Sequence, residues 1–218
     1  MITPVKAAKY VEIADYKEVF KPAADNAASL TVTVKGTADE GGYIYLIKTL
    51  KDTKPVSVEG AAVVGELEEV KTGKVTFYRV KVNTTEATEV KAKFTVAGFY
   101  PAETKNEDNG GSNYSLSYTF TNHFQSDIAK YSVTVHVPEG YETVKVTTPA
   151  KYDSQKLGIS EDGLRTVGAS GKVACAKTSG VAFTYNAPLS GTMNMVIWGV
   201  AVGIGGFVFF DRFRKAKA

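Results

Sequence analysis

Apolar and polar residues alternate with a period of two through the middle of the chain. Glu89-Val-Lys-Ala-Lys-Phe-Thr-Val96 puts Val90, Ala92, Phe94 and Val96 on one face and charged or polar residues on the other. Asn113-Tyr-Ser-Leu-Ser-Tyr-Thr-Phe-Thr121 does the same with Tyr114, Leu116, Tyr118 and Phe120, and Lys130-Tyr-Ser-Val-Thr-Val-His-Val137 with Tyr131, Val133, Val135 and Val137. Successive side chains of a strand point to opposite faces, so these runs predict half-buried antiparallel strands. Weaker signals predict strands over 10–13, 29–35, 43–49, 61–67, 75–82, 142–147, 164–167, 172–176 and 181–185. Tyr43-Ile-Tyr-Leu-Ile47 is apolar throughout and predicts a strand covered on both faces. Asp39-Glu-Gly-Gly42, Thr72-Gly73, Pro138-Glu-Gly140, Glu161-Asp-Gly163 and Ser170-Gly171 supply turn chemistry between the runs.

The pattern changes abruptly near the C-terminus. Residues 193–210 form an uncharged apolar run, followed by Asp211-Arg-Phe-Arg-Lys-Ala-Lys-Ala218. A helix of that length spans about 27 Å, close to a hydrocarbon core of about 30 Å, so the run predicts a transmembrane helix. The tail carries Arg212, Arg214, Lys215 and Lys217 against Asp211, a balance of +3 that equals the net charge of the whole chain. The rest is neutral. A basic cluster beside an apolar run is retained on the cytoplasmic side, which places the N-terminal region outside a cell membrane. Neutrality elsewhere leaves no electrostatic footprint for nucleic acid.

Many short strands at close spacing with turns between them predict an all-β fold, an immunoglobulin-like β-sandwich of one or two modules, followed by a single C-terminal transmembrane helix. The expected organisation is an N-terminal segment over 1–9, a β region over 10–185, a juxtamembrane linker over 186–192, the helix over 193–210 and the tail over 211–218. The polar stretch 100–113 is too long for a tight hairpin and marks a surface loop or a boundary between modules. Export of the β region calls for a signal, and Met1–Tyr10 holds no apolar stretch of the required length. The expectation is a signal removed before Met1 or an upstream start, with a tail-anchored cytoplasmic protein as the alternative. The apolar segment and basic tail resemble the end of a cell-wall sorting signal as used by sortase substrates. The Leu-Pro-x-Thr-Gly motif of that family is missing, Pro188-Leu-Ser-Gly-Thr192 having similar residues in another order. Permanent membrane residence is the reading.

Chemistry-bearing motifs are sparse. Cys175 is the single cysteine, which excludes an intrachain disulfide, and it reads as a small buried hydrophobe in a strand. His123 and His136 are the two histidines, neither with Cys, Asp or Glu at metal-ligand spacing, and both read as surface or loop residues. There is no Gly-x-Ser-x-Gly run, P-loop or dinucleotide fingerprint. The acidic group Glu103, Glu107, Asp108 and Asn109 lacks the alternating spacing of a calcium loop. No catalytic residue, metal or cofactor is expected, and the chain reads as working by binding.

Two features point to binding. Gly199, Gly203 and Gly206 fall on one helical face as a smooth strip against which a partner helix, or a second copy, can pack closely. Trp198 sits too deep for an interfacial anchor and fits the same packing. Among the tyrosines, Tyr114, Tyr118 and Tyr131 share faces with aliphatic residues and belong to the core. Tyr100, Tyr141 and Tyr152 are less regularly placed and read as exposed contacts for a ligand or partner. The expected role is an accessory or structural subunit of a membrane or cell-envelope assembly. The alternative is a surface adhesion or carbohydrate-binding module anchored by its helix.

Overall fold

A computed structural model describes residues 12–101, 113–150 and 155–186. These residues are all β. In chain order the strands are Ile13–Pro22 (β1), Ala28–Gly36 (β2), Tyr43–Ile47 (β3), Thr53–Glu59 (β4), Glu68–Thr72 (β5), Val75–Lys81 (β6), Thr88–Val96 (β7), Asn113–Thr121 (β8), Ile128–His136 (β9), Glu142–Thr148 (β10), Gln155–Ile159 (β11), Arg165–Val173 (β12) and Thr178–Asn186 (β13). One seven-stranded sheet has the order β11-β12-β9-β1-β2-β7-β4, and two three-stranded sheets have the orders β10-β13-β8 and β3-β6-β5. No helix among the described residues is long and apolar enough to cross a membrane. The run 193–210, the tail 211–218 and most of the loop 100–113 lie outside them.

The seven-stranded sheet joins strands from both sides of residues 100–113. The join is the parallel pair β1 and β9, with Tyr16 beside Tyr131, Glu18 beside Val133 and Phe20 beside Val135. Every other ladder is antiparallel. Tyr16, Glu18 and Phe20 point inward and are buried. Above them lie the near edges of the two smaller sheets, which are not hydrogen-bonded to each other. The Ile47 amide at the end of β3 donates to the Tyr16 hydroxyl at 3.0 Å, and the Tyr118 hydroxyl of β8 reaches Glu18 at 2.9 Å. β1 is therefore the seam on which both smaller sheets rest. The inward residues of all three sheets form one continuous core, rich in rings such as Tyr16 over Phe120 at 5.1 Å and Phe120 over Tyr131 at 4.4 Å.

The alternating runs fold as the period predicts. β7, β8 and β9 bury every second residue, and Tyr114, Tyr118 and Tyr131 are core residues. Other expectations fail for local reasons. Residues 61–67 contribute only the isolated bridge Val63 to Val82. Tyr43 and Tyr45 are half-buried, with Arg79 over the Tyr43 ring and Asp39 accepting from the Tyr45 hydroxyl at 2.9 Å, so β3 has one wet face. Ser170-Gly171 is no turn, because β12 runs through it with a register shift before Val173. Cys175 lies exposed in the connection between β12 and β13, where its amide donates to Asp127 at 3.0 Å. It is not the buried strand residue that its apolar neighbours suggest.

Candidate functional site

Polar chemistry concentrates at two places, both set by β1. The first is Glu18, 1% exposed in the centre of the core. Tyr118 donates to both of its carboxylate oxygens at 2.9 Å and Tyr131 to Oε2 at 2.7 Å. Burial pushes its carboxyl up to about 7, and the two tyrosine hydrogen bonds pull against that rise. A cavity of about 10 Å³ for the centre of a water molecule, lined by Glu18, Thr49, Tyr78 and Tyr118 among others, opens beside it. That is room for roughly one water. Both tyrosine donors come from strands after residue 113 and the acceptor from the first strand, so the network ties the two halves of the chain across the seam.

The second place is the end of the molecule where β1 and β9, being parallel, both finish. Lys21 and His136 therefore arrive side by side. The connection from β11 to β12 folds over them as a tight turn: the Ser160 amide donates to the Leu164 carbonyl and the Gly163 amide to the Ser160 carbonyl, both at 2.9 Å. Gly163 has φ +78°, which a residue with a Cβ adopts only under strain. Asp162 at the tip accepts from Lys21 at 2.6 Å and from the Ser160 hydroxyl. Lys21, with Ser160 second, holds the Asp162 carboxyl well below the usual carboxylate range. His136 Nδ1 is 3.3 Å from Ser160 Oγ and 3.6 Å from Asp162 Oδ1. Burial lowers the imidazole's affinity for a proton and Asp162 opposes this, so the ring is neutral at pH 7 and its approach to Asp162 is not an ion pair.

Serine, histidine and aspartate in contact invite comparison with a nucleophilic triad, but the geometry is different. A triad sets the imidazole between the other two, one ring nitrogen to each. Here both partners crowd the same Nδ1, and Ser160 Oγ is engaged with Asp162 and, at 2.9 Å, with the Leu164 carbonyl of its own turn. The cluster fastens the turn to the ends of β1 and β9.

Between this turn and the Pro138–Glu142 turn lies an open cleft of about 730 Å³, whose walls include Glu139, Tyr141, Asp162, Leu164 and the Arg165–Glu142 pair at 2.8 Å. Charged groups and a ring edge on such walls can hydrogen-bond a polar ligand and offer it a flat apolar surface. Of the tyrosines expected at the surface, Tyr141 is half-buried on this cleft, packed edge-on against Tyr114 at 5.5 Å and Tyr185 at 5.7 Å. Tyr100 is not exposed at all. It is 4% accessible because its hydroxyl reaches inward to donate to the His136 carbonyl at 2.7 Å. His136 itself, expected at the surface, is 4% exposed beneath the turn. Tyr152, the helix-packing Gly199, Gly203 and Gly206, and the topology-setting Arg212, Arg214, Lys215 and Lys217 lie outside the described residues.

Glu18, Lys21, Ser160, Asp162 and Arg165 were not legible as site residues in the sequence. Glu18 had one signal, the spacing Tyr16-Lys-Glu18-Val-Phe20, which puts it on the same face as two rings. The others are brought together only by the parallel pairing of β1 with β9.

No family model matches the chain, and no curated protein matches it in sequence. Among solved structures, a Parabacteroides distasonis protein described as a candidate protease matches at a TM-score of 0.43 with 13% identity, over 84% of this chain and 41% of that one. An M1 zinc metallopeptidase from Deinococcus radiodurans matches at 0.42 with 13% identity over 80% and 42%, and its E323A mutant bound to a Tyr-Ser-Ala substrate at 0.38 with 13% identity over 84% and 45%. The chain spans less than half the length of these proteins. Likeness at this level carries no argument about activity, and what the chain has in common with them is limited to a distant resemblance of the backbone.

Proposed function

We propose that this chain is a non-catalytic single-pass membrane protein whose β region is an immunoglobulin-like β-sandwich outside the cytoplasm, serving as an accessory or structural subunit of a membrane or cell-envelope assembly. The observation that carries the reading is the uncharged run 193–210 closed by Arg212, Arg214, Lys215 and Lys217. The strand order supports the sandwich: a large sheet faced by two smaller ones, with inward residues interdigitating, is how two β layers bury a common core. The last strand ends at Asn186, six residues before the apolar run, so the β region stands close to the bilayer. Ser160, His136 and Asp162 spend their hydrogen bonds on a turn, in keeping with a role in binding. Gly199, Gly203 and Gly206 give the helix a face for a partner helix or a second copy.

The cleft beside Tyr141 favours a second reading, a surface adhesion or carbohydrate-binding module for which the helix is only an anchor. The two separate on one experiment. The full-length protein is purified from its native membrane in mild detergent and its companions are identified by mass spectrometry, alongside the Gly199→Leu/Gly203→Leu double variant. A stoichiometric membrane partner that the double variant loses supports the subunit reading. Recovery of the wild type alone, with the variant migrating identically, overturns it in favour of the anchored module.

A further inference from the structure

The outer face of the seven-stranded sheet, opposite the core, is charged unevenly. Side chains alternate along a strand and paired residues share a face, so the ladders sort the outward residues into rows. The first row runs Lys130, Asp15, Lys35 and Glu89 across β9, β1, β2 and β7, alternates in sign and cancels. The next runs Ser132, Lys17, Thr33, Lys91 and Glu59 from β9 to β4. Beyond it, Lys156 lies on β11 and Lys93 on β7 beside Ser57, and in the last row Lys54 lies opposite Thr95. Lys17, Lys54, Lys91, Lys93 and Lys156 are all exposed, and the one carboxylate in their rows is Glu59, held by Lys91 at 3.1 Å. Among the described residues the other four lysines make no ion pair. Lys21, at the end of the last row, is matched by Asp162. These rows therefore carry an excess of four positive charges. The chain without its tail is neutral, so the fold has set this excess apart from carboxylates that lie elsewhere.

We infer that this face is a docking surface for an acidic polysaccharide, a chain of sugars that bear carboxylate or sulfate groups. Charge complementarity calls for a polyanion. Strand geometry sets Lys17 and Lys91 two strands, about 10 Å, apart with Thr33 between them, and Lys91 about 7 Å from Lys93 along β7. Ser57 and Thr95 likewise lie beside Lys93 and Lys54. A hydroxyl both donates and accepts, so the spaces between the lysines suit the hydroxyls of the sugar units that separate one anionic group from the next. Other polyanions fit less well. No Phe, Tyr, Trp or Arg stands at a paired outward position, so the face offers no platform for nucleobases and no fork for a phosphate. Val19 is half-buried near the centre and Val56 sits apart on the edge strand β4, so there is no apolar cluster to enter a bilayer. The inference goes beyond the proposed function and holds whether the helix packs against a partner or serves only as an anchor.

The test is capture of the full-length protein, held in phosphatidylcholine nanodiscs at about 50 mM salt, on sensors coated with hyaluronan, neutral dextran, oligo(dT) or phosphatidylglycerol nanodiscs. Hyaluronan captures it most tightly and dextran does not capture it. The variant Lys17→Gln/Lys54→Gln/Lys93→Gln binds hyaluronan about tenfold or more weakly and with a shallower dependence on salt. Lys71→Gln/Lys74→Gln/Lys145→Gln removes the same charge from the smaller sheets and their turns and leaves capture unchanged. All six lysines are exposed and make no ion pair among the described residues, and circular dichroism verifies the fold of each variant. A chain that does not enter nanodiscs fails the membrane reading and is tested free in buffer, which keeps the two failures distinct. Capture through the basic tail would persist in the first variant. That persistence, equal loss in both variants, no capture by hyaluronan, or tighter capture by oligo(dT) or phosphatidylglycerol overturns the inference.

Discussion

Replacing Glu18 by glutamine isolates the charge of the buried carboxylate while keeping its shape. In the folded protein the carboxyl is raised from 4.5 to about 7, chiefly by burial. At 1.36 kcal/mol for each pH unit, that rise corresponds to about 3 kcal/mol. The sign follows from proton counting. Between pH 4.5 and 7 the folded state holds the Glu18 proton and the unfolded chain has lost it, so folding is progressively disfavoured as pH rises through this window. The contribution is fully present below pH 4.5 and gone above about 7. Other groups titrate nearby with the opposite sign. His136 and His123 are lowered by burial, so their contribution is lost as pH falls through 6.5, and the depressed carboxyls of Asp162 and Asp127 act at lower pH. The groups facing Glu18 are Tyr118 and Tyr131, with Tyr16 on its own strand and Lys48, itself paired to Glu69 at 2.8 Å, on the cavity wall. None of these titrates between pH 4.5 and 7.5. The difference between wild type and Glu18→Gln therefore reports Glu18 alone. Urea unfolding of both proteins in the same detergent, followed by circular dichroism at intervals from pH 4.5 to 7.5, should show wild type losing about 3 kcal/mol relative to the variant across the series. A difference that stays constant with pH, or grows in favour of wild type, refutes the reasoning.

Other outcomes follow from single contacts. Asn122, fully buried, donates from its amide to the Ser126 and Val173 carbonyls at 3.0 Å and accepts from the Phe124 amide at 2.9 Å; Asn122→Ala removes these three bonds and should cost about 3 kcal/mol in urea unfolding. A Cβ on Gly168 would stand 2.6 Å from the Val133 carbonyl oxygen, between β12 and β9, so Gly168→Ala should destabilise by about 1–3 kcal/mol through forced backbone movement. Asp162 raises the affinity of His136 for a proton, so Asp162→Asn should lower the His136 titration midpoint by NMR and leave His123 unmoved.

How far the sequence reaches is clearest strand by strand. β7, β8 and β9 are legible because each turns one face to the core and the other to water, which writes period-two alternation directly into the residues. β1 is equally buried but not legible, because Glu18 occupies an inward position where the pattern asks for an apolar residue. Its cost is met by Tyr118 and Tyr131, about a hundred residues away, and no local pattern can announce them. β4, β5 and β11 are edge strands whose side chains are mostly exposed, so their alternation is lost. His136 departs from its pattern for a related reason. Strict alternation points it outward between Val135 and Val137, but β9 ends there, and the turn from β11 to β12 closes over the ring.

The sequence by itself determined the β character of the chain, the placement of Tyr114, Tyr118 and Tyr131 in the core, and the expectation of a membrane helix, since each is a matter of nearest neighbours or of one continuous run. The tertiary structure decided what long-range pairing alone can decide. The parallel contact of β1 with β9 brings Lys21 to His136, buries Glu18 under two tyrosines and makes one sheet of the two halves. The pairing of β1, β2, β7 and β4 gathers Lys17, Lys91, Lys93 and Lys54 on one face. Burial and the gathering of charge depend on which strands become neighbours, and that choice is made by the whole chain at once.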